Sequence, residues 1–173
     1  MKHCEKQKVW QAIVREAREL SDQEPMLASF YHATIIKHDS LASALSYILA
    51  NKLKTPSMPA MAVREVVEEA FNADSTITEA AACDICATVN RDPAVSMYSM
   101  PLLYLKGYHA LQGYRVANWL WSQGRIALAT YLQNQISVAC QVDIHPAAKI
   151  GRGIMLDHAT GIVIGETAVV GND

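Results

Sequence analysis

The feature that most constrains this chain is a ladder of aliphatic residues near its C-terminal end. Ile144, Ile150, Leu156 and Ile162 recur every six residues, and after a shift of two the same step continues through Ile164 and Val170. Gly151, Gly165 and Gly171 directly follow three of these rungs. No helix has a period of six, and no hairpin alternation lasts so long. A buried aliphatic at every sixth position with small residues beside it is the signature of a hexapeptide solenoid, in which three steps, about eighteen residues, make one triangular coil of parallel strands. Residues 141–173 are therefore expected to form the first coils of a parallel β-helix. A solenoid needs several rungs and a cap to bury its interior. The sequence stops at "VVGND" with no capping signal, which predicts the front portion of a longer protein.

Residues 1–140 read as a helical domain, so the fold class expected is α+β. "VWQAIVREARELSDQEP" places apolar residues at 9, 10, 13, 14, 17 and 20, a stripe of helical period that stops near Pro25. Pro25 opens a second helix that closes at His38-Asp39-Ser40, and Ser40 can cap a third that ends at Pro56. Pro59 opens a fourth, with Glu65, Glu68 and Glu69 at its exposed positions. Asp74 or Ser75 caps a fifth running to about Val89. "NRDPAVSMYSMP" reads as a loop. Two long helices follow, "PLLYLKGYHALQGYRVANWLWSQG" and "GRIALATYLQNQISVAC". Both are apolar on more than one face, which predicts burial against other subunits as well as their own domain.

Composition narrows the partners. At 173 residues, 51% hydrophobic and net charge −2, the chain can bury one core and carries no basic arm or stripe. Nucleic acid and membranes are not expected as partners, no signal peptide is read at the N-terminus, and a cytoplasmic protein is the simplest reading. Of Cys4, Cys83, Cys86 and Cys140, the middle two form a CxxC in an alanine-rich helical stretch. No second CxxC or histidine pair completes a zinc set, so two reduced, half-buried thiols are expected, with metal or redox use as the alternative.

Several segments together resemble the bacterial serine O-acetyltransferases, which commit serine to cysteine synthesis. They are "EPMLASFYHAT", "ALSYILANKL", "REVVEEAF", "RDPAV", "PLLYLKGYHALQGYR" and "VDIHPAAKIGRGIMLDHATGIVIGETAVV", and they cover essentially the whole chain. The resemblance implies an N-terminal helical domain followed by a left-handed parallel β-helix, assembled as a dimer of trimers. It also implies transfer of an acetyl group from acetyl-CoA, a cosubstrate rather than a permanently bound cofactor, to the hydroxyl of L-serine. L-cysteine is the implied feedback inhibitor. O-acetylserine sulfhydrylase is the implied partner of a C-terminal tail that lies outside this sequence.

An alcohol needs a base to attack a thioester at neutral pH, and histidine, with an ordinary pKa of about 6.5, suits that task. Read from spacing alone, His158 is more readily a capping or corner histidine of the solenoid; it matches the family's LDHATG base, and the resemblance implies that role. Asp143 matches the family's dyad carboxylate, which would fix the tautomer of that imidazole. It lies close to one eighteen-residue coil from His158, a spacing that does not establish contact, and a corner aspartate satisfying loop amides is its other reading. His145 is a rival base, better read as structural or as part of the site wall. Asp92 and Asp157 match the family's ligands for the serine ammonium, and Asp92 also suits a plain turn before Pro93. Arg91 and Arg152 are candidates for the substrate carboxylate by charge only. The acetyl-CoA contacts are expected to lie mostly beyond residue 173, no metal site is expected, and no cysteine is placed to carry an acyl group. Because Cys83 and Cys86 sit on a helix far from the repeat, direct transfer in a ternary complex is expected rather than a covalent acyl-enzyme, and acetyl transfer is expected to be lost or severely reduced in a chain with so little solenoid. Another hexapeptide acyltransferase, a β-helical zinc enzyme of the carbonic anhydrase type, and a non-catalytic assembly module are the competing readings.

Overall fold

The computed structural model describes residues 5–173, which leaves Cys4 and the start of the N-terminal segment outside the described residues. Helix α1 (Lys6–Gln23) buries Val9, Trp10, Ile13, Glu16 and Ala17 along one stripe. Pro25 opens not one helix but three short turns. A tight turn at Pro25–Leu27 passes into α2 (Ala28–Tyr31) and then into a wide π turn at His32–Ile36. Helix α3 (Leu41–Leu53) starts where Ser40 Oγ accepts a hydrogen bond from Ser43 N at 3.2 Å. Helix α4 (Ala60–Ala73) follows Pro59. Helix α5 (Ser75–Arg91) is capped by Asp74, whose Oδ1 accepts from Thr76 N at 2.9 Å.

The long helix expected to begin at Pro101 is broken. A short α6 (Ser99–Tyr104) ends at Leu105, whose extended backbone (φ −84°, ψ 109°) precedes α7 (Lys106–Ser122). The start of α6 is held from α1: the buried Glu16 carboxylate accepts from Tyr98 N at 3.1 Å and Ser99 N at 2.8 Å. These are amide donors that a helix start leaves unsatisfied. Every residue of α7 from Gly107 to Ala117 is buried. Its apolar character on several faces is thus accounted for inside this chain, where α4, α5, α6 and α8 (Ile126–Cys140) surround it. Among the described residues no helix is long and apolar enough to cross a membrane.

Helix α8 ends at Gln141, which takes a left-handed conformation (φ 58°) and turns the chain into strand β1 (Val142–Ile144). Strands β2 (Lys149–Ile150), β3 (Ile162–Ile164) and β4 (Val169–Val170) complete the segment. β1 pairs in parallel with β3 and β2 with β4, Val142 lying opposite Ile162 and Ile150 opposite Val170. The register is therefore twenty residues, not the eighteen of three regular steps. The shift of two seen in the sequence is the cause: residues 151–161 form a loop longer than one six-residue step allows. Interior residues of the first rung are sealed, Val142 at 0%, Ala148 at 0% and Ile144 at 2% exposure.

Helix α7 docks this segment onto the helical body. Tyr114 donates to Ala148 O, and Asn118 Nδ2 donates to Pro146 O at 2.6 Å. Arg115 reaches both ways: it pairs with the fully buried Asp84 of α5 at 2.7 Å and donates to Gly151 O at 2.8 Å. Asp84 also accepts from Ile154 N at 2.9 Å and Gln112 Nε2 at 2.9 Å. Burial pushes the Asp84 carboxyl up, against the pull of Arg115 and these donors.

The cysteines depart from expectation at one position. Cys83 and Cys140 are free, whereas Cys86 is disulfide-bonded. An i,i+3 spacing puts two thiols near one helix face but says nothing of what faces them.

Candidate active site

A cleft of about 380 Å³ opens at the seam between the helical body and the strand segment. Its walls are the end of α5 and its following loop (Thr88, Asp92, Val95), the broken joint between α6 and α7 (Tyr104 to Tyr108), and the loop Ile154–His158. Three sequence-predicted residues, Asp92, Asp157 and His158, converge here. Asp92 closes α5, and its Oδ1 accepts from Ala94 N at 2.9 Å, so it is a turn residue and a wall of the cleft at once. Asp157 Oδ1 lies 3.8 Å from His158 Nε2, and the His158 side chain is 94% exposed.

Asp143 stands apart from this group. Its Oδ1 accepts from Gln133 Nε2 of α8 at 2.7 Å, and it does not line the cleft. With a twenty-residue register its partner on the next rung is Val163, five positions past His158. His145 is also elsewhere: Nδ1 accepts from Ala147 N at 3.1 Å, and the ring packs edge-on against Trp121 at 5.0 Å. The Ala147 contact uses Nδ1 as an acceptor, which leaves Nε2 as the ring's donor. Arg91 donates to Gly153 O at 2.8 Å and holds the loop to α5, and neither Arg91 nor Arg152 lines the cleft.

Sequence reasoning missed Lys106, the one lysine or arginine among the described residues that line the cleft. It sits at the first position of α7, directly after the break at Leu105. Tyr108 was missed as well. It is buried, donates to Ala81 O at 3.3 Å, and burial holds its phenol well above the ordinary range. At the mouth, Tyr104 is pushed up to about 12 by desolvation and by its contact with Tyr31. Burial also raises the Cys83 and Cys140 thiols, and neither lines the cleft. Among the described residues, no group of three or more His, Cys, Asp or Glu side chains is placed to share a metal ion.

Against this geometry, comparison with known proteins is direct. The family model described as "Serine acetyltransferase, N-terminal" matches residues 9–113. The serine acetyltransferase of Escherichia coli K12 is 71% identical over 165 residues, covering 95% of this chain and 60% of the relative. A crystal structure of serine acetyltransferase from Vibrio cholerae is 86% identical with a TM-score of 0.96, covering 97% of this chain and 65% of that one. A serine acetyltransferase in complex with CoA superimposes with a TM-score of 0.97 at 62% identity, covering 98% of this chain and 72% of that one. Solved relatives in complex with cysteine and with serine match as well. The architecture is that of a helical domain joined to short parallel strands. The chain belongs to the serine acetyltransferase family, and it spans about 60% of the length of the curated relatives it matches.

Proposed function

We propose that these residues form the front portion of a serine O-acetyltransferase, a cytoplasmic enzyme that transfers acetyl from acetyl-CoA to the hydroxyl of L-serine. Residues 1–140 are the helical domain, and 141–173 begin a left-handed parallel β-helix that stacks in a dimer of trimers. The single observation that carries the reading is the convergence of two carboxylates and an accessible imidazole, Asp92, Asp157 and His158, in one cleft.

Each group has a task that its chemistry suits. The carboxylates hold the serine ammonium and so aim the hydroxyl at the imidazole. His158 accepts the hydroxyl proton as the oxygen attacks the thioester carbonyl. The tetrahedral intermediate then expels CoA as a thiolate, which recovers that proton from the imidazolium, so the enzyme ends unchanged. The free thiols lie elsewhere, in keeping with direct transfer. Asp143, matched to the family's dyad carboxylate, would orient His158 only where its carboxylate came within hydrogen-bond reach of the ring, whereas here it is held by Gln133 outside the cleft. L-cysteine, with sulfur in place of oxygen, fits the same carboxylate pair, which supports competitive feedback. Relatives solved with serine and with cysteine support the two ligands.

The test is thiol release from acetyl-CoA, followed in this chain and in a chimera that continues these 173 residues with the remaining part of the Vibrio cholerae relative. Release should require L-serine, be severely reduced in the short chain, and fall by roughly 10²- to 10⁴-fold in the chimera on His158→Ala. Undiminished turnover by that variant, or equal turnover with unrelated alcohols, would sink the reading.

A further inference from the structure

We propose that the first two residues of α7 clamp the backbone of the loop that carries His158, with Lys106 as a positioning residue acting through Thr160; this rests on the functional reading of His158 given above. His158 and Ala159 both lie in the left-handed region, at φ 50° and 62°. Two successive non-glycine residues there are costly, roughly 1–2 kcal/mol each, and persist only where the surroundings hold them.

The holding contacts come from both flanks of the histidine. Ahead of it, α7 approaches so closely that a Cβ at Gly107 would fall 2.1 Å from Leu156 O. Behind it, the same Cβ would lie 3.0 Å from that of Ala159, which is 3% exposed. One residue further, Lys106 Nζ donates to Thr160 Oγ1. Gly161 N in turn donates to Gln141 O at 2.9 Å, which ties the end of the loop to the start of β1. The helix start therefore touches the loop before and after His158, while the imidazole itself stays open to the cleft. Only glycine permits the first contact, and the second is made by the ammonium at the end of the Lys106 side chain.

Charge alone offers Lys106 a different role, because its ammonium lines the cleft and suits the carboxylate of an amino acid. The two roles separate experimentally. In this chain, amide hydrogen exchange at Thr160 and Gly161 should accelerate by about tenfold in Lys106→Met and in Thr160→Val, and stay near wild type in Lys106→Arg. In the chimera, the first two variants should each lower kcat by roughly ten- to a hundredfold with KM for serine within about twofold. The double variant should be no worse than the poorer single one, because both remove the same contact. Unchanged exchange in Lys106→Met overturns the clamp. So does a raised KM for serine in Lys106→Met alongside a silent Thr160→Val, which would hand the ammonium to the substrate. The exchange measurement needs no acetyl transfer, so the clamp can stand or fall independently of the proposed activity.

Discussion

The helical body and the strand segment solve the problem of burial in different ways. In the body, Ile13, Ile35, Leu45, Leu49 and Ile85 are fully enclosed by helices of the same chain. In the strand segment only the first rung is enclosed, and its cover is borrowed: α7 and α8 pack over Val142, Ile144 and Ala148. On the second rung the inward-facing Ile162 and Ile164 are only half-buried and Val170 is 37% exposed. One region holds its own core, while the other takes its order from a helix it docks against. The cleft lies at their seam, so the position of His158 depends on the joint more than on either region by itself.

Four measurements would break or sharpen that contrast. The largest effect should come from the joint. Asp84→Ala leaves Arg115 buried without its partner and removes the acceptor of Ile154 N, so chemical unfolding should show a loss of about 3–5 kcal/mol. Leu49→Ala, deep in the body, should cost about 2–5 kcal/mol by the same measurement, through lost burial and the cavity left behind.

The third measurement is of pH dependence. Burial holds His109 down to about 4, with its Nε2–H donated to Leu102 O at 2.7 Å. The folded chain thus resists a proton that the unfolded chain accepts near 6.5. This contribution is fully present above about pH 6.5 and is lost progressively as the pH falls toward 4, a loss on the order of 3 kcal/mol. His38, lowered chiefly by burial, acts in the same direction. His109→Phe should flatten the slope of stability between pH 6.5 and 5.5, and an unchanged slope would remove His109 as its source. The smallest effect belongs to the second rung: Val163→Thr should alter stability by less than about 0.5 kcal/mol. A larger loss would mean that the outward face of this rung, where Val163 lies opposite Asp143, contributes to stability in the chain as it stands.

Features written as local chemistry were legible beforehand. Ser40 and Asp74 cap the helices they were expected to cap, because a side-chain oxygen satisfying nearby amides needs no knowledge of the rest of the fold. The aliphatic ladder announced parallel pairing, whereas Asp92, Asp157 and His158 were put forward by the family resemblance rather than by local chemistry, and all three line one cleft. What could not be read depends on distant partners. Leu105 looks like any helical leucine, and only the proximity of Leu156 to Gly107 makes sense of a break there. Nothing local marks Glu16 for burial, because the amides it accepts from, Tyr98 N and Ser99 N, lie far along the chain. Asp84 lies within the CxxC, where attention falls on the sulfurs. Its guanidinium partner is thirty-one residues away.

The twenty-residue register has a consequence for how such a site could arise. A strictly periodic spiral offers every rung the same corners, and nothing in it singles out one imidazole. Two surplus residues between Ile150 and Ile162 release the intervening backbone from its neighbours and let an adjacent helix mould it. The loop those two residues allow is the one that brings Asp157 and His158 to the wall of the cleft that Asp92 also lines.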